Sequence, residues 1–358
     1  MNPRFDTVIV GAGLAGACAA RILAKSRRVL LADAGDHDAA SPAAVAALAN
    51  PLMAQRARPG WRVVDALEAY ERLIRDLDLP DPLALAGLVR PATTSRQAEE
   101  FAEVAGGYPE LATWWTPDET LERAPWLAAP HGTLKVIRGG AVSVPDLLES
   151  LRQDAVREGA EYRASWYLEG WAGDVGHLEA VFRTGNGAVR VETGSIVLAT
   201  GPGFGRLPAL REVSLHLVKG QLVRVRPSVV PAGALPVSGR GYAVPNPDGT
   251  VVIGSSYEHD FDDSAPTRIQ SRRLLARLIP SLPWLREATI VSESAGLRVT
   301  VPGRRIPMAG PLPTDGRIWM FTGLGSKGLL MAPYLAELLP GWMESPDTVP
   351  LELRVPEA

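Results

Sequence analysis

The stretch Phe5-Asp6-Thr7-Val8-Ile9-Val10-Gly11-Ala12-Gly13-Leu14-Ala15-Gly16 decides how this chain is read. A buried strand that ends in Gly-x-Gly-x-x-Gly and opens a helix is the dinucleotide fingerprint of a βαβ unit. Gly11 permits the tight turn, Gly13 lets backbone approach a pyrophosphate, and Gly16 lets helix and strand pack closely. The phosphates would sit at the helix N-terminus, where free N–H groups and the helix dipole favour negative charge. Six such residues also match many ordinary Gly-rich turns, so the context decides. Arg28 to Ala32 reads as a second buried strand and ends at Asp33, 22 positions after Gly11. That is close to the ~20 residues expected before a ribose-binding carboxylate.

Composition bounds the rest. A chain of 358 residues accommodates two domains, and a net charge of −3 gives no global drive toward nucleic acid or an anionic membrane. The single cysteine, Cys18, excludes an internal disulfide and any thiol redox pair. The five histidines, His37, His131, His177, His216 and His259, are scattered without metal-ligand spacing, so no metal is expected. No apolar stretch approaches the ~18 residues of a membrane span, and the N-terminus lacks a signal-peptide pattern. The expectation is a soluble cytoplasmic protein.

Residues 41–50 read as a short Ala-rich helix with Ser41 as N-cap. A longer helix from Trp61 is marked by Val63, Leu67, Tyr70, Ile74 and Leu77, and it ends before Pro80. Residues 84–135 look irregular. Gly139-Gly140 precedes a helix opened by Val144-Pro145-Asp146, and residues 160–195 resemble a β-meander punctuated by glycines. Ile196 to Ala199 is a short apolar strand running into Thr200-Gly201, and residues 213–260 are strand-rich. Thr267-x-x-Gln270 is a capping-box signature before another helix. The chain closes with a strand, Ile318 to Thr322, then a Gly-rich turn and a helix that contains Pro333. This order predicts an α/β fold: a discontinuous Rossmann-type nucleotide domain with an inserted β-rich (α+β) substrate domain. The expected boundaries are 1–83, 136–210 and 291–358 for the first domain, and 84–135 with 211–290 for the second.

Several segments carry a family resemblance. Ile196-Val-Leu-Ala-Thr-Gly-Pro-Gly203 is similar to the second FAD motif of flavoproteins. Gly296-Leu-Arg298, Pro307-Met-Ala-Gly-Pro311 and Phe321-Thr-Gly-Leu-Gly-Ser-Lys-Gly-Leu-Leu-Met-Ala-Pro333 resemble the closing motif of the D-amino-acid oxidase and glycine oxidase superfamily. Gly139-Gly140 before Pro145 resembles the lead-in to that family's second FAD helix, and Lys219-Gly220-Gln221 its characteristic sheet strand. Within the superfamily, Asn50-Pro51-Leu52 with Arg56, Arg58 and Trp61 resembles a bacterial group related to the flavin domain of the bifunctional tRNA wobble-uridine modifying enzyme. Two departures stand out: Asp33 where many members place Glu, and a 41–49 segment without the glycines common in the loop that wraps the flavin.

The resemblance implies FAD as cofactor, held by Gly11, Ala12, Gly13, Leu14, Ala15, Gly16, Asp33, Ala34, Ser41, Asn50, Pro51, Thr200, Gly201, Gly323, Gly325, Ser326, Lys327 and Gly328. It also implies that Arg298 clamps a substrate carboxylate and that Tyr242 stands near it. Lys327 would add positive charge at the flavin edge that becomes negative on reduction. For each there is a plainer reading: an ion pair for Arg298, packing for Tyr242, an exposed lysine for Lys327. Trp114, Trp115 and Trp126 could wall a cavity or fill core, and Arg268, Arg272, Arg273 and Arg277 could face RNA or only solvent.

The leading expectation is an FAD-dependent oxidase or dehydrogenase of a small amine or amino acid. The substrate would be glycine-like, an N-substituted glycine or a D-amino acid, oxidised at its C–N bond by hydride transfer to the flavin. The alternatives are a tRNA-modifying flavoenzyme that removes a glycine-like group from a modified uridine, and a flavin-binding protein without turnover. One Gly-x-Gly-x-x-Gly and no cysteine pair disfavour a disulfide reductase. The electron acceptor stays open among oxygen, a quinone and a carrier protein.

Overall fold

A computed structural model describes residues 4–35, 46–174 and 176–356. The chain folds into two compact units, one of residues 1–42, 145–218 and 297–358, the other of residues 43–144 and 219–296.

The first unit is built on a parallel sheet. Arg4–Val10 lies between Val29–Asp33 and Gly187–Leu198, parallel to both. Glu161–Ala164 extends the sheet beside Val29–Asp33, and Asp315–Thr322 extends it beside Ile196–Leu198. All five residues of Val29–Asp33 are buried, as expected of a central parallel strand covered on both faces. The first half of Gly187–Leu198 turns antiparallel to His177–Thr184, which pairs with Tyr167–Asp174 in the meander. Val8, Leu30, Ile196, Leu198, Met308 and Met320 belong to one core cluster. The helices Leu14–Leu23 and Gly328–Glu344 pack on each other. Arg21 Nε donates to Asp154 Oδ2 at 2.5 Å, fixing the helix Val144–Arg157 to the first helix through a buried ion pair.

The second unit has an eight-stranded, mostly antiparallel sheet in the order Thr289–Thr300, His216–Arg226, Val251–Gly254, Tyr242–Pro245, Val237–Ser238, Leu88–Pro91, Thr133–Val136, Ala112–Trp115. Arg268–Leu278 buries Ser271, Leu274 and Leu278, spaced by three and four residues as one helical face requires. Its leucines join Val223, Val225, Val237 and Ile253 in the core, and Trp115 and Trp126 pack against the same cluster as core filling.

Several expectations need correction. Ala46–Ala49 is a strand, not the end of an Ala-rich helix: it pairs antiparallel with Gly140–Ser143. A ladder with partners far along the chain outweighs alanine's local helix preference. Gly139 permits the close approach, since a Cβ there would lie 2.1 Å from the Ala49 carbonyl oxygen. Ser41 lies outside the described residues. Residues 43–83 and 136–144, read from sequence as part of the nucleotide domain, cluster with the second unit. The physical reason is that these segments bond to the second unit's own residues: Tyr242 donates to Ala46 O at 3.0 Å, Asn50 to Ser238 Oγ at 3.4 Å, and Gly87 N to Gly139 O at 2.8 Å. Residues 211–218 cluster with the first unit and 291–296 with the second, again unlike the sequence boundaries. The segment 84–135 is more regular than expected: Ser95–Gly107 is a helix capped by Thr94, and Pro117–Arg123 starts on a Thr116–Glu119 capping box.

Candidate functional site

In the first unit the Gly-rich turn has the geometry its residues demand. Gly11 has φ of 102°, and a Cβ there would lie 2.3 Å from the Ala199 carbonyl oxygen. A Cβ on Gly16 would lie 1.7 Å from the Gly11 carbonyl oxygen, so helix and strand meet backbone to backbone. Gly13 differs, because a Cβ built on it meets nothing within 4 Å. The first helix begins there on extended backbone with no side-chain cap, and its first turn carries no acidic residue. The buried carboxylate of Asp33 accepts from Ala12 N at 2.6 Å and from Gly35 N at 2.7 Å. Asp33 therefore holds the tips of two neighbouring strands together. Ala12 and Ala15 are buried, and Leu14 and Ala34 are half-buried.

Two distant segments come to this turn. Ala199 N donates to Val10 O at 2.9 Å, which brings Thr200 and Gly201, both half-buried, beside the end of the first strand. Gly201 takes φ of 51° at the start of the 3₁₀ turn Gly201–Arg206. The last strand leads into Gly323 and Gly325, with φ of 72° and 54°. A Cβ on Gly328 would lie 3.2 Å from Leu14 Cδ1, so the start of the last helix lies against the start of the first. Gly11–Gly16 and Gly323–Gly328 thus share one end of this unit. Ser326 is exposed there.

Lys327 is half-buried and donates from Nζ to the Arg305 carbonyl. Burial, reinforced by the neighbouring Arg305 charge, pulls its pKa down. Arg298 is half-buried between buried Leu297 and Val299, and the Val299 carbonyl accepts from Gly325 N at 2.9 Å. The arginine thus stands one residue from the contact that holds the closing loop.

The other candidates lie in the second unit. Tyr242 is half-buried, and its hydroxyl donates to Ala46 O at 3.0 Å. Its ring crosses Gly254, where a Cβ would come within 2.5 Å of Tyr242 Cζ. Buried Asn50 accepts from Leu52 N at 3.0 Å, bracketing Pro51, and donates to Ser238 Oγ at 3.4 Å. Gln221 is fully buried and satisfied: it donates to Thr267 O and Ser271 Oγ at 2.7 and 2.6 Å and accepts from Thr267 N at 2.8 Å. Lys219, also buried, reaches Asp263 at 3.7 Å.

One residue with a marked role was missed in the sequence. Buried Arg90 donates to the carbonyls of Leu52 and Ala54 and stacks over Phe101, 5.1 Å from the ring centroid. Desolvation pulls its pKa down to about 10. The signal was present, since a charged residue inside Leu88-Val89-Arg90-Pro91 calls for buried acceptors.

Among the described residues, no group of three or more His, Cys, Asp and Glu side chains is placed to hold a metal ion. None of the described helices is long and apolar enough to cross a membrane.

A family model described as "DAO: FAD dependent oxidoreductase" matches residues 6–340. Glycine oxidase of Pseudomonas aeruginosa is 27% identical over 373 residues, covering 96% of this chain and 95% of that protein. The tRNA 5-methylaminomethyl-2-thiouridine biosynthesis bifunctional protein of Burkholderia mallei is 28% identical over 403 residues, covering 99% of this chain but 58% of that protein. The crystal structure of glycine oxidase from Geobacillus kaustophilus is similar with a TM-score of 0.81 and 26% identity, covering 96% of this chain and 95% of that one.

Proposed function

The chain belongs to the DAO family of FAD-dependent oxidoreductases, and from that premise we propose that it oxidises the C–N bond of a small amine or amino acid. The substrate class is glycine, an N-substituted glycine or a D-amino acid, and the product is an imine that water hydrolyses. The observation that carries this reading is Arg298 beside the Val299–Gly325 contact: a cation next to the loop that closes the nucleotide-binding unit. Similarity to glycine oxidase along nearly the whole chain supports it.

The residues present fit FAD. The open space in front of Gly13 and the uncapped helix start suit a diphosphate, and the Asp33 carboxylate suits a ribose. Gly11 to Gly16, Thr200, Gly201 and the segment Gly323 to Gly328 would hold the cofactor. When bound, FAD supplies the two-electron hydride acceptor.

The protein's own residues then have to position and neutralise. Arg298 binds the substrate carboxylate, in a two-pronged pair when the geometry permits. Tyr242, held by Ala46 O and backed by Gly254, presents a rigid aromatic wall and a hydroxyl. Lys327 and the uncapped start of the last helix place positive potential at the closing loop, where it favours developing negative charge.

The test is anaerobic: purified holoprotein is mixed with a panel of small amino acids and amines, and flavin absorbance is followed. Bleaching by glycine analogues or D-amino acids is the expected result. Failure of every amine to bleach a chemically reducible flavin leaves a binding protein without turnover.

A second reading is favoured by one observation. Arg272, Arg273 and Arg277 are exposed on Arg268–Leu278 and have no acidic partner among the described residues. Together with the similarity to the tRNA-modifying bifunctional protein, this supports removal of a glycine-like group from a modified uridine. Tight, salt-dependent tRNA binding is its test, and absence of binding together with bleaching by free glycine analogues excludes it.

A further inference from the structure

The end strand of a sheet keeps one row of N–H and C=O groups unbonded, and such edges are normally guarded against pairing with other chains. Four end strands here carry a guard. Glu161–Ala164 is four residues long and bears the charges of Glu161 and Arg163. A bulge between Leu168 and Gly170 interrupts Tyr167–Asp174. Met308–Leu312 contains Pro311. Ala112–Trp115, at one end of the second unit's sheet, has four residues and is flanked by the helices Ser95–Gly107 and Pro117–Arg123.

The opposite end of that sheet has no such device. Thr289–Thr300 runs for 12 residues, and positions 289–295 hold no proline, glycine or basic residue. The one charge there, Glu293, is turned toward Arg268 at 3.6 Å. Thr300 Oγ1 donates to His216 O at 3.2 Å and Thr289 Oγ1 to Arg226 O at 3.4 Å, so the strand runs antiparallel to His216–Arg226. Val299 O is bonded instead to Gly325 N, outside the sheet. Alternate residues of an antiparallel strand turn both backbone groups to the same side, so Val291, Glu293 and Ala295 share the open side with Val299. Val291 is 50% exposed, and Ile269, beside Arg268, is 67% exposed.

We propose that a second copy of this chain pairs with this edge, antiparallel about a two-fold axis at Val291, so that two eight-stranded sheets become one continuous sheet. An edge is its own complement, and the choice of axis follows from the residues on it. An axis at Ser294 or Ala295 would call on Leu297 or Val299, both buried. An axis at Glu293 sets two carboxylates face to face, and one at Ser292 sets Glu293 against Val291. An axis at Val291 pairs the two exposed valines. It also sets Thr289 of one copy opposite Glu293 of the other, whose buried Oε1 accepts no hydrogen bond among the described residues. The inference is independent of the reaction catalysed.

The test measures the mass of the full-length FAD-loaded protein by size-exclusion chromatography with light scattering, and its association by sedimentation velocity. Wild type is expected at about twice 38.2 kDa. Val291→Lys sets two ammonium groups against each other and should weaken association roughly tenfold or more. Leu121→Lys, which charges a 67%-exposed leucine elsewhere in the second unit, should not. Flavin content and circular dichroism should match wild type in both variants. Val291→Cys adds a surface thiol to a chain whose one cysteine, Cys18, is buried. Opposed Cα atoms about 5.5 Å apart lie within disulfide reach, so mild oxidation should give a covalent dimer, whereas Leu121→Cys should give none. A monomeric wild type overturns the proposal, as does a dimer that Val291→Lys leaves intact. Failure of Val291→Cys to crosslink overturns the axis at Val291.

Discussion

Gly325 N donates to Val299 O at 2.9 Å, tying the loop that opens the last helix to the strand that carries Arg298. The two are 26 residues apart in sequence, yet neither can shift without the other. A cation placed this way is registered to the closing loop through one hydrogen bond of the main chain.

Replacement of that cation separates substrate binding from cofactor binding. Arg298→Ala should raise KM for a carboxylate-bearing substrate by about 10- to 100-fold, the loss of a hydrogen-bonded charge pair, and leave flavin content unchanged. Steady-state kinetics and the flavin-to-protein absorbance ratio read the two effects. An unchanged KM removes Arg298 from the site.

The turn glycines should respond very differently to the same methyl group. Gly13→Ala places a Cβ in open space, so the fold should persist while FAD affinity drops roughly tenfold or more. Gly16→Ala drives its Cβ into the Gly11 carbonyl and should abolish soluble, folded protein. Flavin titration and circular dichroism distinguish the outcomes, and equal loss of fold in both variants contradicts the geometry.

Lys135 offers a pH-dependent signature. It is half-buried, donates to Ala86 O at 2.9 Å, and desolvation pulls its pKa from 10.5 down to about 8. Between those two values the unfolded chain holds more protons than the native one, so this group makes stability rise with pH across about 8 to 10.5. Below pH 8 both states are charged and the burial cost is constant. Urea unfolding across that window should show the rise in wild type and a flatter profile in Lys135→Met.

Gln221 holds a strand to a helix start. Gln221→Leu strands Thr267 N, Thr267 O and Ser271 Oγ without their buried partner, and about 2–4 kcal/mol of stability should be lost. Chemical denaturation measures it. A loss under ~0.5 kcal/mol would show that water replaces the amide.

What was legible in the sequence was local. The Gly11–Gly16 turn and the Thr267 N-cap depend on neighbours within one turn or one βαβ unit, and their backbone geometry follows those residues. The expected capping box is only half made, because Thr267 N donates to Gln221 rather than to Gln270. Ala46–Ala49 was not legible as a strand, because its partner Gly140–Ser143 lies more than ninety residues away and alanines carry no β signature. Arg90 was legible only in part: a charge inside the apolar run 88–91 calls for buried acceptors, but only the folded chain shows that these are the carbonyls of Leu52 and Ala54. The Thr116-Pro117-Asp118-Glu119 cap was there to be read in a segment otherwise taken as irregular.

The division of the chain into interleaved segments has a consequence for its synthesis. The first unit is assembled from residues 1–42, 145–218 and 297–358, and its parallel sheet needs Asp315–Thr322 to complete it. A turn made at residue 11 must therefore wait on the ribosome for a strand that ends at residue 322 and a helix that ends at residue 344. At ~5–20 residues per second, that wait lasts tens of seconds, during which the first βαβ unit is held without its final strand. The insertion that separates those segments, containing its own eight-stranded sheet, emerges in two portions on either side of the second one. Neither unit is made from a contiguous stretch of chain: the second has all its segments once residue 296 is synthesised, whereas the first waits for the strand Asp315–Thr322 and the helix Gly328–Glu344.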